Sequence, residues 1–374
     1  MKTDSSNRSE AAQPIRILAL DGVRGIAVLG VIVAHGLSPI PTESPWADFL
    51  KALLSFGTYG VDLFFVLSGF LITGILLKNH GAGNLLKVFW IRRIARIMPL
   101  YVAFLVIMYS VCAFFIPENM PKVPGWAYFF YLQNFFLAGG AAPSSFGFDI
   151  TWSLVIEEHF YLLFPFLIAL SPRKYHLRII LAGCCMGLPM RLLVHPWLES
   201  HFHLVRLNSL FLTGRLDQLC GGALLAYVVY AGIPLPKRLF SPVAVIAAWT
   251  LVGMLFVLKA REHLITGIAG VLTLGMLIGS GCPVCVRFFE SRVLRFFGRI
   301  SYALYLFHSP LFWYSHHYFT GMASFLGVLF AAILAIGLAW ISTRYFEEPL
   351  LEKARQYRYA KDRYNARSYI DNCK

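Results

Sequence analysis

The feature that most constrains this chain is a succession of apolar blocks, each long enough to cross a bilayer. Ten such blocks lie near residues 17–36, 57–77, 97–116, 151–170, 177–194, 213–232, 240–258, 263–281, 300–319 and 322–343. Roughly 20 mainly apolar residues suffice to cross a hydrocarbon core of about 30 Å. An eleventh block, GWAYFFYLQNFFLAGG at 125–140, is short and aromatic and reads as re-entrant or interfacial. Only 14% of residues are charged, where a soluble domain has about 25%. The pattern predicts an all-α polytopic bundle of about ten transmembrane spans plus that short segment.

No Pro- or Ser-rich linker, long polar insert or internal repeat divides the chain. It reads as a polar N-terminal segment (1–16), one membrane domain (17–345) and a basic tail (346–374). A cleaved signal peptide would have a short, clean apolar core. The first block instead carries Asp21 and Arg24, so it is expected to remain as the first span.

The formal charge is +14. It points to nucleic acid only if the basic residues cluster on a soluble module, and they do not. With the N-terminus placed inside, 25 of the 33 Lys and Arg residues fall on cytoplasmic segments. Seven fall outside: Lys51, Lys122, Arg191, Arg206, Arg215, Lys259 and Arg261, while Arg24 lies within a span. This asymmetry follows the positive-inside rule and puts both termini in the cytoplasm. It accounts for the basic charge through the membrane, with no nucleic-acid partner. Four of the seven cysteines, Cys112, Cys184, Cys185 and Cys220, fall in spans and read as small apolar residues. Cys282 and Cys285 form a single CxxC, which without a second pair is a weak zinc signal. No metal is expected.

Ionisable groups in hydrocarbon are costly and usually face a bundle interior for a functional reason. In LDGVRGIAVLGVIVAHG (20–36), Arg24 and His35 are eleven residues apart. That is three turns plus about 20°, so they share a face, separated by about 16 Å of rise. Asp21 sits one turn before Arg24 and can pair with it. Glycines at 22, 25 and 30 permit close approach of a helix or ligand. The alternatives are a structural ion pair and a hydrogen-bonded histidine, or a polar face lining a path for a long ligand.

TWSLVIEEHFYLLFP (151–165) puts Glu157 and Glu158 about 100° apart, so they cannot point the same way. Ser153, Glu157 and Tyr161 form one stripe. A buried glutamate there can orient a histidine, act as a base or make an interhelical hydrogen bond. FWIRRIARIMPLY (89–101) holds Arg92, Arg93 and Arg96 at the inner surface. These serve topology and lipid head groups, or phosphates, whose oxygens the arginine fork matches. Asp62 and Ser68 sit among bulky apolar residues in GVDLFFVLSGFLITG, and Ser68 either bonds back to its own helix or lines a wall. Arg215 and Asp217 lie at the outer end of TGRLDQLCGGALLAY. In ISYALYLFHSPLFW, Ser301, Tyr305, His308 and Phe312 share one face.

Taken in order, these segments resemble the acyltransferase-3 family of bacterial integral membrane acyltransferases over about residues 15–350. The resemblance is carried by Arg24 and His35 in the first span, FFVLSGFLI (64–72), Arg93 and Arg96, WSLVIEEHFY (Trp152 to Tyr161) and FGRISYALYLFH (297–308). His159, where many relatives have glutamine, is a small departure. The resemblance implies transfer of an acyl group, most often acetyl, from cytoplasmic acyl-CoA to a hydroxyl. Acceptors in such proteins include cell-surface or secreted glycans and macrolides. Many members carry an added extracytoplasmic hydrolase-like domain; about 30 residues follow the last span here, so none is expected. The membrane domain is then expected to acylate the acceptor itself, a separate polysaccharide-assembly partner being the other route.

On that basis Arg93 and Arg96, with Arg92, are expected to hold the CoA phosphates. Arg24 would steady the arm or polarise the thioester. His35 would act as general base or transient acyl carrier, with an unperturbed imidazole pKa near 6.5 suiting both. Glu157 would orient it or share its proton. Asp21, Ser68, Trp152, Ser153, Tyr161, Arg215, Asp217, Tyr305 and His308 are candidate wall residues. The expected setting is the bacterial inner membrane, with membrane lipid and a glycan or lipid-linked sugar as partners. The competing class is a proton-coupled transporter or flippase, against which stands the lack of a repeated hydrophobic pattern. A non-catalytic scaffold leaves the intramembrane charges unexplained.

Overall fold

In a computed structural model, residues 17–37, 44–141, 146–258, 263–279 and 282–360 are described. Lys2, Arg8, Arg16, Lys259, Arg261 and the tail from 361 lie outside them. Among the described residues the secondary structure is helical, with no strand. In chain order the helices are α1 (Leu18–Leu37), α2 (Pro45–Ser55), α3 (Gly60–Lys78), α4 (Leu85–Phe115), α5 (Gly125–Phe129) and α6 (Gln133–Ala138). There follow α7 (Trp152–Leu170), α8 (Arg173–Pro189), α9 (His195–Phe202), α10 (Leu207–Leu210), α11 (Leu216–Tyr230) and α12 (Pro242–Val257). The last are α13 (His263–Ile278), α14 (Pro283–Phe289), α15 (Arg292–Tyr318), α16 (Gly321–Ser342) and α17 (Glu348–Arg355).

Each of the ten apolar blocks coincides with a helix, but ten spans are not confirmed. Six stretches are long and apolar enough to cross a membrane: Leu18–Leu37, Phe49–Lys78, Leu85–Phe115, Asp149–Leu170, Arg173–Phe202 and Ala323–Arg355. A seventh is added if α13 and α14 together form one bent span. The difference is one of length and polarity. α11 and α12 have 15 and 16 residues, about 23 Å at 1.5 Å per residue, short of a core of about 30 Å. α15 is 27 residues long, but Arg292, Arg295 and Arg299 stand in its opening turns, and His308, His316 and His317 with several Ser and Tyr lower the hydropathy of the rest. The aromatic block at 125–140 resolves into α5 and α6, of five and six residues, neither able to cross.

The arginines of FWIRRIARIMPLY stand inside a helix, not in a connecting loop. α4 starts at Leu85, and its 31 residues take Arg92, Arg93 and Arg96 into the same rod as the following apolar stretch.

α1 and α15 run side by side in the same direction. Gly25 meets the Leu294 backbone near their N-terminal ends, and Gly36 meets the Phe312 ring near their C-terminal ends. Their backbones touch: a Cβ at Gly298 would run into the Asp21 carbonyl oxygen. Small residues allow this approach, which in lipid is a main source of helix association. α3 packs in the same way on α11. The aromatic core beside α1 and α15 is built from Tyr101, Phe104, Tyr128 and Phe148. Leu162, Leu163, Leu167, Phe330 and Ile333 stand exposed on the outside, the arrangement expected when lipid is the solvent.

Candidate active site

α1, α3, α4, α7 and α15 enclose a cleft toward the N-terminal ends of α1 and α15. α1 supplies Arg24, α3 Ser68, α4 Arg93 and Arg96, α7 Ser153, Glu157 and Tyr161, and α15 Ser301, Tyr302 and Tyr305. Phe64, Phe65, Leu67 and Ile97 fill the walls between them. The free space measures about 810 Å³, its open mouth included. The stripe Ser153, Glu157, Tyr161 faces it because three residues at spacing four share one side of α7. Three guanidinium groups and one carboxylate, Glu157, thus line the cleft.

The carboxylate is held at both oxygens. Ser68 Oγ donates to Glu157 Oε1 at 2.7 Å. The Tyr161 hydroxyl lies 2.8 Å from Ser68 Oγ and 3.1 Å from Glu157 Oε2, and its proton is shared between them. The Arg93 guanidinium sits 5.3 Å over the Tyr161 ring, in cation–π range. Arg24 Nη1 stands 3.7 Å from Asp21 Oδ1, so the one-turn pair expected between them is present. Farther along α15, Tyr305 donates to the Ile150 carbonyl at 3.0 Å and lies 2.7 Å from Ser153 Oγ. Tyr302 donates to the Ile97 carbonyl at 2.9 Å.

A second polar centre lies one turn beyond Tyr305. His35 Nδ1 and His308 Nε2 are 2.9 Å apart, with the two rings stacked at 5.2 Å and 16°. His308 is fully buried and His35 half-buried. The Tyr305 ring, which lines the cleft, stands 5.7 Å from the His308 ring. The face Ser301, Tyr305, His308, Phe312 thus connects the two centres. The structure differs from the expectation that Glu157 orients His35. Glu157 is bonded to Ser68 and Tyr161, and His35 to His308. About 16 Å of rise along α1 separates His35 from the Arg24 level.

Several candidates lie elsewhere. Arg92 is about 100° round α4 from Arg93 and turns toward the C-terminal segment. Its Nε and Nη2 donate to the Tyr357 carbonyl at 3.2 and 2.6 Å, and its guanidinium lies 5.0 Å over the Tyr359 ring. Arg215 and Asp217 are buried in two ion pairs, Arg215 with Asp62 at 2.9 Å and Asp217 with Arg191 at 2.6 Å. Asp62 also accepts from Thr266 at 2.8 Å and lies 3.4 Å from His263. Trp152 stands behind the cleft wall, against Phe65 and the Arg215 guanidinium.

Sequence reasoning did not single out Tyr302 or Arg191, and it noted Asp62 only as a polar residue of the second span. Tyr302 was legible as the hydroxyl-bearing aromatic three residues before Tyr305 on the same helix. Arg191 counted only as an outside charge, because pairing with Asp217 twenty-six residues later leaves no local pattern. Among the described residues no group of three His, Cys, Asp or Glu side chains is placed to hold a metal ion.

Comparison with known proteins bears on this geometry. The sequence matches the family described as Acyltransferase domain over residues 17–344. It is 28% identical over 361 residues to "Putative O-acetyltransferase SACOL0978" of Staphylococcus aureus (strain COL), covering 89% of this chain and 57% of that protein. It is 27% identical over 384 residues to O-acetyltransferase OatA of Staphylococcus aureus (strain NCTC 8325 / PS 47), covering 94% of this chain and 60% of that protein. The chain therefore spans less than two thirds of the length of these relatives. No solved structure matches it. The match runs through every helix that lines the cleft, from Arg24 on α1 to Tyr305 on α15, and the chain belongs to the acyltransferase-3 family of membrane acyltransferases.

Proposed function

We propose that the protein is an O-acetyltransferase that takes its acyl group from cytoplasmic acyl-CoA and passes it to a hydroxyl of a cell-surface or secreted glycan. The observation that carries this reading is the pairing of an arginine-rich cleft with a histidine pair one turn past its far end. Arg93 and Arg96 hold the donor's phosphates, for which the guanidinium fork is suited. Arg92 takes no part, being engaged with the C-terminal segment. The excess of Lys and Arg on the segments assigned to the side of the N-terminus supports a cleft mouth open to the cytoplasm. The membrane is then the bacterial cytoplasmic membrane.

The residues divide the chemistry between two depths. His35 takes the proton from the acceptor hydroxyl as its oxygen attacks the thioester carbonyl. Arg24, about 16 Å of rise away along α1 and beside Asp21, steadies the pantetheine arm that carries the thioester toward His35. As the C–S bond breaks, the proton taken by His35 passes to the departing sulfur, so the reaction balances as ester plus thiol. Ser153 and Tyr305, hydrogen-bonded to each other, form the wall between the two centres. The name O-acetyltransferase carried by relatives supports acetyl as the acyl group.

Incubation of the protein in vesicles with radiolabelled acetyl-CoA and envelope glycan extracts tests this. The expected product is alkali-labile label in the glycan fraction, released together with free CoA. Acyl-CoA binding that never yields ester with any glycan or small hydroxyl acceptor would overturn the transferase reading.

A further inference from the structure

The hydrogen-bond chain through His308 determines which nitrogen of His35 carries the proton. His308 Nδ1 lies 3.2 Å from the carbonyl oxygen of Leu304, one turn back on α15. A backbone carbonyl can only accept, so His308 Nδ1 carries a hydrogen and donates it. In the neutral ring, Nε2 of His308 is then bare. That bare nitrogen is the atom 2.9 Å from His35 Nδ1, and a bare nitrogen can only accept. His35 Nδ1 must therefore be the protonated nitrogen of its ring, which leaves the lone pair on Nε2. Among the described residues, Nε2 of His35 makes no hydrogen bond.

We propose that His308 is a positioning residue: anchored on the Leu304 carbonyl, it locks His35 in the tautomer whose Nε2 is free to accept a proton. This rests on the reading of His35 as the base toward the acceptor hydroxyl and adds what makes it competent. The one-turn anchor fixes the His308 ring because both groups ride on the same helix. The near-parallel stacking of the rings at 16° and the contact of α1 with α15 through Gly25 and Gly298 hold His35 in register. An imidazole so fixed needs no reorientation before it accepts a proton, and a hydrogen bond at the other nitrogen is what usually sets the tautomer. His308 does this without touching the acceptor.

Two variants separate a positioning role from a packing role. His308→Gln keeps an acceptor, its side-chain carbonyl oxygen, near the place of Nε2. His308→Leu keeps bulk and removes the acceptor. Acyl transfer by His308→Leu is expected to fall in kcat by about 100-fold or more, with KM for acetyl-CoA unchanged. His308→Gln is expected to recover at least a tenth of the wild-type kcat. Equal losses in the two variants, or a loss confined to KM, would overturn the proposal. A second measurement does not depend on turnover. Nitrogen-15 spectra of histidine-labelled protein in nanodiscs, assigned with His35→Ala and His308→Ala, report the protonation of each ring nitrogen. The expected spectrum has His35 as the Nδ1–H tautomer in the wild type and in His308→Gln, and as a mixture in His308→Leu. His35 as Nε2–H in the wild type would refute the proposal, even if acyl transfer is never detected.

Discussion

The buried pair of Asp62 and Arg215 gives a sharp test of which intramembrane charges are structural. Both side chains are almost wholly shielded, at 5% and 4% exposure, with Nη1 of Arg215 2.9 Å from Oδ1 of Asp62. Asp62 Oδ2 meanwhile accepts from Thr266 at 2.8 Å. Nε of Arg215 already lacks a partner, so the guanidinium depends on Asp62 for its charge compensation. Asp62→Ala leaves that cation buried and unpaired, which costs about 3–5 kcal/mol. Replacing both members with apolar side chains, Asp62→Leu with Arg215→Met, removes the charge and its partner together. Such replacements are close to neutral in well-packed sites, and Thr266 still donates to the His263 carbonyl at 2.7 Å. The thermal midpoint in mild detergent should therefore drop by several degrees for Asp62→Ala, and the double variant should recover more than half of the loss. Because Arg215 lies behind Phe65 and Trp152, outside the cleft, the double variant should also keep its KM for acyl-CoA within about threefold, a difference under 1 kcal/mol. A stable double variant that no longer binds acyl-CoA would refute the structural assignment and return Arg215 to the binding site.

Three further outcomes follow from the geometry. Arg93→Ala and Arg96→Ala should each weaken binding of a CoA analogue by about 10- to 100-fold, the worth of one charge-assisted hydrogen bond, measured by equilibrium binding in nanodiscs. Arg92→Ala should leave that affinity within about threefold, because its guanidinium is spent on the Tyr357 carbonyl. Gly298→Val places bulk against the Asp21 carbonyl; overpacking of this kind costs about 1–3 kcal/mol, read as a lower unfolding midpoint. Since α1 and α15 must part to admit it, its acyl transfer should fall more than its acyl-CoA binding.

How much of this was legible in the sequence depends on the range of the interactions. The helices were, because each apolar block is a local signal, and all ten blocks coincide with helices. Their lengths were not: α11 and α12 stop short of a full span, and α4 absorbs the arginine-rich stretch, since helix ends depend on tertiary contacts more than on apolarity. Same-face relations were also legible. The stripe Ser153, Glu157, Tyr161 and the face Ser301, Tyr305, His308, Phe312 both hold, because they are fixed by the helical repeat alone. Partnerships across helices were not. No periodicity pairs His35 with a histidine 273 residues later, or Glu157 with Ser68 eighty-nine residues earlier. Arg92 shows the limit most clearly: its neighbour Arg93 faces the cleft, and only the packing of residues 355–359 against α4 shows that Arg92 faces away.

The central claim is that donor binding and proton removal from the acceptor are done at two separate depths, by the arginine cleft and by His35. The most direct test compares wild type with His35→Ala in sealed vesicles, recording acyl-CoA binding and acceptor-dependent CoA release on the same preparation. The account predicts that His35→Ala binds acyl-CoA with wild-type affinity while acceptor-dependent release falls by about 100-fold or more. Release at the wild-type rate from His35→Ala would contradict it, as would loss of acyl-CoA binding in a variant that is otherwise folded.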